Sequence, residues 1–205
     1  MAITIRSTQA PQVVDWEGYL NLPSELTSYE IIDGEVKPLA SPTLKHQKII
    51  RQFLRLLDPI LQERRLGELL SAPFDFVVRR EPVRTRQPDL FFLSRERFGD
   101  FRQLMDEPRL EQPPDLVIEV LSPSDTYSAW AEQLQDYHQL RVPEVWAVDM
   151  ERRVIEVLVY EEGGYRMLGS FSGVQSVSST VLRGVELSPS QVFAVLDAPT
   201  AEQSV

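Results

Sequence analysis

The chain has 205 residues, 42% hydrophobic and 25% charged, an ordinary globular balance that suffices for one domain with a full core. The absence of cysteine excludes disulfides and thiolate metal sites, and two histidines make a zinc site a poor expectation, so a hard cation held by oxygen ligands is the metal chemistry left open. A net charge of −10 argues against strong non-specific attraction to a phosphate backbone, which is held chiefly by basic side chains.

No basic segment followed by an apolar stretch opens the sequence, and no apolar run approaches membrane-spanning length, so a cytoplasmic protein with no membrane contact is expected. Residues 13–195 read as a single domain between loose termini, 1–12 and 196–205. A short helix fits Val13 to Leu20. "SYEIIDGEV" predicts a hairpin, because Asp33-Gly34 suits a two-residue turn. A long helix follows. Ser41 is placed to cap it and Pro42 to occupy its first turn. Ile49, Ile50, Phe53, Leu54, Leu57, Ile60 and Leu61 form its apolar stripe, Pro59 can kink it, and Gly67 stops it.

"APFDFVVRR" and "QPDLFFLS" predict the next two strands, and residues 95–112 a polar connection. "DLVIEVL" is continuously apolar apart from its carboxylates, as suits a central strand covered on both faces. Asp125 to Leu140 reads as a helix, with Trp130, Leu134 and Tyr137 as core positions and "SPSD" before it as a turn and cap. "EVWAVD" is a strand, and a crossover helix between it and "DLVIEVL" requires the two to be parallel. "RVIEVLVYEEGGYRML" is a hairpin turning at Gly163-Gly164, and Ser188-Pro189 starts a last short helix. The pattern predicts an α/β or α+β fold, a mixed sheet with a helix on each side.

Glu119 is the residue that this frame does not explain. An ionised carboxylate between Ile118 and Val120 is costly to desolvate unless a cation, donors or water meet it, so function is the better reading. Asp115 shares its face but lies about 13 Å away along the strand, too far for one small ion. Asp89, at the start of "DLFFLS", would come within about 5 Å if the two strands were neighbours, and such a pair can clamp one cation. Charge is uneven: residues 51–100 carry ten Arg against eight acids, whereas residues 101–150 carry three against ten. Arg79, Arg80, Arg84 and Arg86 are therefore the expected meeting place for a polyanion, with a solvated strand edge as the structural alternative.

"YEIIDGEV", "SPTLKHQKII", "RQPDLFFL", "DLVIEVLSPSD" and "RVPEVWAVD", in this order, resemble the Uma family of restriction-endonuclease-like proteins, within the PD-(D/E)XK nuclease superfamily. The resemblance implies a restriction-endonuclease-like mixed β-sheet core flanked by helices. It implies Asp89 and Glu119 as acidic metal ligands, the carbonyl of Val120 as a backbone ligand, Glu30 as a further acid near the site and His46 as a residue lining it. Glu30 and His46 have an equal structural reading, as partners in hydrogen bonds. The implied cofactor is Mg²⁺, with Mn²⁺ as a substitute, and the implied partner is DNA.

One position departs from the family pattern, which resembles E-K-L-x-x-Y on the following helix. Here the stretch is Glu132-Gln133-Leu134-Gln135-Asp136-Tyr137, so Gln133 stands where the lysine is expected. An ammonium group can orient the attacking water and stabilise charge on phosphate, whereas an amide can only orient. Lys45 and Lys48 of the long helix are the nearest substitutes. The expected activity is Mg²⁺-dependent hydrolysis of DNA, in a homodimer. The alternatives are a catalytically weakened relative that binds nucleic acid or a protein partner, and a structural oligomer.

Overall fold

In the hairpin of β1 (Tyr29–Ile32) and β2 (Glu35–Pro38), Ile31 pairs with Val36 and Ile32 with Glu35, so Asp33 and Gly34 form the two-residue turn expected. Both have positive φ, 54° and 84°, the conformation such a turn requires and that Asp and Gly tolerate. The computed structural model describes residues 13–23, 28–122 and 126–197. The short first helix, α1 (Trp16–Leu20), is capped by Asp15, which accepts from the Gly18 amide at 2.8 Å.

The long helix, α2 (Leu44–Glu63), begins later than Ser41 and Pro42 suggested. Thr43 rather than Ser41 is its cap, accepting from the His46 amide at 3.2 Å, and Pro42 lies outside it. Pro59 sits within the helix, and Ile49, Phe53, Leu57 and Leu61 are buried at the predicted spacing. Gly67 does not end the helix. It opens a strand that the sequence pattern did not reveal, β3 (Gly67–Ser71), and a Cβ there would meet the Leu93 carbonyl oxygen at 2.1 Å. Only glycine lets the two backbones approach so closely.

β4 (Asp75–Arg80) pairs with β5 (Val83–Arg86), a second strand not foreseen, and the chain then turns through Gln87 and Asp89 into β6 (Leu90–Ser94). A one-turn helix, α3 (Arg95–Phe98), and the short β7 (Arg109–Leu110) lead to β8 (Leu116–Leu121). α4 (Tyr127–Leu140), capped by Thr126, carries the chain to β9 (Glu144–Asp149); the turn read at "SPSD" falls largely on residues 123–125, outside the described residues. β10 (Val154–Glu161), β11 (Gly164–Ser172) and α5 (Pro189–Asp197) complete the order.

The main sheet has the order β11-β10-β9-β8-β6-β3, with β8 and β9 parallel and the other pairs antiparallel, so the mixed sheet is as expected. Residues of β8 alternate between two cores. Leu116, Ile118 and Val120 pack with Phe53 and Leu57 of α2 and Phe193 of α5, while Val117 packs with Tyr137 and Leu140 of α4. A smaller sheet, β5-β4-β7, and the β1–β2 hairpin share a third core of Tyr19, Ile31, Val77 and Val83. Glu144 is wholly buried, yet its carboxylate accepts from Trp146 Nε1 at 2.7 Å and from the amide and hydroxyl of Thr180 at 2.6 Å, which ties the segment before α5 onto the sheet. Among the described residues no helix is long and apolar enough to cross a membrane.

Candidate active site

Pairing of Leu90 with Ile118 sets Asp89 level with Glu119, one residue before β6 and two before the end of β8. The Asp89 amide lies 3.5 Å from Glu119 Oε2. The Asp89 carboxylate turns to the strand ends, where Oδ2 accepts from the Val120 amide at 2.8 Å and meets His46 Nε2, on the first turn of α2, at 3.0 Å. Its side chain keeps 21% of its surface exposed, so the pair is reachable from solvent.

Glu119 is on the face of β8 covered by α4, and is 6% exposed. Its Oε1 accepts from Gln133 Nε2 at 2.8 Å and from the Tyr137 hydroxyl in a short contact; Gln133 and Tyr137 meet it together because they are four residues apart on one helix face. Burial pushes the Glu119 carboxyl well above the usual carboxylate range, the negative charge of Asp89 adds to this, and the Tyr137 hydrogen bond opposes it. Burial also raises the Tyr137 phenol, helped by the charges of Glu119 and Glu30. Among the described residues no cationic side chain pairs with Glu119.

Glu30, on β1, stands behind this pair. Its carboxylate accepts from Arg86 Nη1 at 2.6 Å and from the Gln87 amide at 3.1 Å; burial raises its pKa and the Arg86 charge opposes the rise. Arg86 in turn donates through Nε to Asp136 Oδ2 at 2.6 Å, and Arg84 donates through Nε to Asp136 Oδ1 at 2.6 Å and through Nη2 to Glu132 at 2.5 Å. Asp136 is 4% exposed and is the residue on α4 just before Tyr137. Two arginines of β5 thus lock β1 and α4 around the carboxylates.

This corrects the expectation for Arg84 and Arg86, whereas Arg79 is half-buried beside Asp33 and Arg80 is exposed beside Glu111. Arg84 and Arg86 are 4% and 7% exposed, so they are neither a solvated edge nor a surface for polyanions. β5 places them inward, where leaving either arginine out would strand buried acids. Asp115 stays out of the site, as its distance along the strand required: it accepts from the Ser94 amide at 2.7 Å and from Arg97 Nη1 at 2.8 Å at the far end of β8. Sequence reasoning gave Tyr137 only a packing role and assigned none to Asp136. The spacing of Gln133 and Tyr137 was the available signal for the first; an acid beside an apolar stripe position gave none for the second.

Among the described residues no set of three His, Asp or Glu side chains converges tightly enough to hold a metal alone. The site offers two carboxylates and the strand backbone at Val120. This donor set fits a hard divalent cation: it is oxygen-only, solvent reaches it through Asp89, and no described cation pairs with the buried Glu119 carboxyl. The N–H and C=O of one strand residue leave the chain on the same edge, so the Val120 carbonyl faces the Asp89 side as its amide does.

A family model, Uma2, described as "Putative restriction endonuclease", matches residues 16–190. The fold is similar to a crystal structure from Anabaena variabilis described as "a putative nuclease belonging to DUF820", with a TM-score of 0.73 and 16% identity over 89% of this chain and 99% of that one. At this identity the likeness concerns the fold. No curated protein matches the sequence.

Proposed function

The chain belongs to the Uma2 family of restriction-endonuclease-like proteins, and from that membership we propose that it is a Mg²⁺-dependent endonuclease that hydrolyses DNA phosphodiesters. The observation that carries this reading is the facing of Asp89 and Glu119 at the ends of β6 and β8, with no described cation beside Glu119. Asp89, Glu119 and the Val120 carbonyl would hold the ion. When bound there, a divalent cation supplies positive charge for the phosphoryl oxygens and lowers the pKa of a water.

The remaining chemistry belongs to side chains of this chain. His46 and the Val120 amide hold the Asp89 carboxylate at the strand ends. Tyr137 and Gln133 hold Glu119 in one rotamer, and Gln133 is placed to orient a water next to that carboxylate. Glu30 adds negative potential from below, and its pairing with Arg86 keeps that acid in place. We propose a homodimer as the assembly, since two such sites facing one duplex suit an acidic protein.

Cleavage of supercoiled and single-stranded DNA with Mg²⁺ or Mn²⁺, with Asp89→Ala as control, tests the activity. Gln133 favours a second reading, a catalytically weakened relative that still binds nucleic acid or a protein. Metal binding without cleavage under any of these conditions would decide for it.

A further inference from the structure

The nuclease reading leaves unassigned the surface that grips the backbone of the substrate, and the arginines closest to the site are committed to buried carboxylates. Cations without such commitments stand on α2. Lys48, Arg51 and Arg55 form no ion pair with any described residue, they follow one another at helical spacing along its outer side, and the helix has no acid before Asp58. Lys45, one turn before Lys48, precedes His46, so the residue that reaches Asp89 and the first cation of the run are consecutive.

A second observation places an open cleft at the start of this run. The parallel register pairs Leu121 with Asp149, which brings the C-terminal ends of β8 and β9 to the same end of the sheet as the candidate site. The turn after β9, the first turns of α2 and Leu196 of α5 border an open cleft of about 510 Å³, whose polar lining is Lys45, Lys48, Glu151 and Arg153. Outside the carboxyl ends of parallel strands is where open α/β sheets receive ligands.

We propose that this cleft docks the phosphodiester backbone of the nucleic acid flanking the Asp89–Glu119 site, a proposal that rests on the nuclease reading. Lys48 is free of ion pairs with described residues, and the other two cations are held only by exposed ones: Lys45 to Glu151 at 2.5 Å and Arg153 to Asp197 at 2.5 Å. Exposed pairs of this kind contribute little and are screened by salt, so a phosphate can replace the carboxylate at small cost. Arg51 and Arg55 prolong the track, since Lys48 to Arg55 spans about 10 Å along the helix. In a chain of net charge −10, four cations within one acid-free segment concentrate the local field that a polyanion needs.

The test is binding of a labelled DNA duplex and a single strand to the full chain, in chelator, across a salt series. Lys48→Glu/Arg51→Glu should weaken binding at least about ten-fold and reduce the slope of log affinity against log salt by about one for each phosphate that the variant no longer neutralises. Arg102→Glu, which reverses an exposed charge on the β6–β7 connection, should bind as wild type does. An unchanged thermal response to Mn²⁺ in the double variant shows that the acid site is intact. Should the double variant fail to fold, Lys48→Gln and Arg51→Gln singly carry the same comparison. Wild-type binding that none of these α2 substitutions weakens, or that Arg102→Glu weakens equally, overturns the cleft and leaves the nuclease reading standing. Wild type that binds neither form of DNA overturns both.

Discussion

Gln133 donates its amide to the Glu119 carboxyl at 2.8 Å, so the residue that stands where the resemblance implies a lysine is in direct contact with the candidate site. This hydrogen bond gives the first prediction. Gln133→Lys puts an ammonium beside Glu119, where it compensates a buried charge and can stabilise the phosphate oxygens. Cleavage with Mg²⁺ or Mn²⁺ should rise by roughly one to three orders of magnitude, the scale of one electrostatic group in a preorganised site. Initial rates on supercoiled plasmid measure it, and equal inertness of both proteins would favour the non-catalytic reading.

Asp89 is the proposed ligand that is open to solvent, and its side chain is held by groups outside the hydrophobic cores. Mn²⁺ or Mg²⁺ should raise the melting temperature of the wild type, because a ligand that binds only the native state stabilises it, by about 2.7 kcal/mol at a hundred times Kd. Asp89→Ala should fold and lose the response. A metal response of equal size in Asp89→Ala would remove Asp89 from the ligand set.

Arg86 and Asp136 form a buried pair in which each side also serves another element, Arg86 holding Glu30 and Asp136 holding Arg84. Arg86→Met should therefore cost about 3–5 kcal/mol, the penalty for leaving a buried partner uncompensated. Arg102→Ala, which breaks only an exposed pair with Asp100, should leave the urea midpoint unmoved. Comparable urea midpoints for Arg86→Met and wild type would show that the network is not a structural lock.

Glu119 sets a pH dependence whose sign follows from its raised pKa. In the metal-free native state it keeps its proton above the ordinary carboxylate range, while the unfolded chain releases it within that range. The native state then binds more protons, so stability falls as pH rises from the ordinary Glu value to the raised native one, and levels off above it. Glu119→Gln, whose amide oxygen still accepts from Tyr137, should lose this slope. Urea titrations in chelator at pH 5 and pH 8 compare the two proteins; parallel pH dependence in both would place the titrating group elsewhere.

Much of the fold was legible because short-range physics carries it. The Asp33-Gly34 turn, the apolar stripe of α2, the covered strand at Leu116–Leu121 and the crossover that makes β8 and β9 parallel all follow from local periodicity and turn chemistry. β3 and β5 were missed for the same reason. "GELLS" and "VRTR" are too short to show a period, and the arginines of β5 imitate a solvated edge.

At the site, the single acid amid apolar neighbours singled out Glu119, and its strand partner Asp89 followed once the two strands were taken as adjacent. Local pattern could not reveal the partners of Arg84, Arg86 and Asp136, which lie far apart in the chain: 50 residues between Arg86 and Asp136 and 56 between Arg86 and Glu30. Whether an arginine is a free surface charge or the counterion of a buried acid depends on which groups the fold brings within hydrogen-bonding reach, and alternation along a strand does not contain that information. The choice costs several kcal/mol in desolvation and is settled only when sheet, hairpin and helix close on one another.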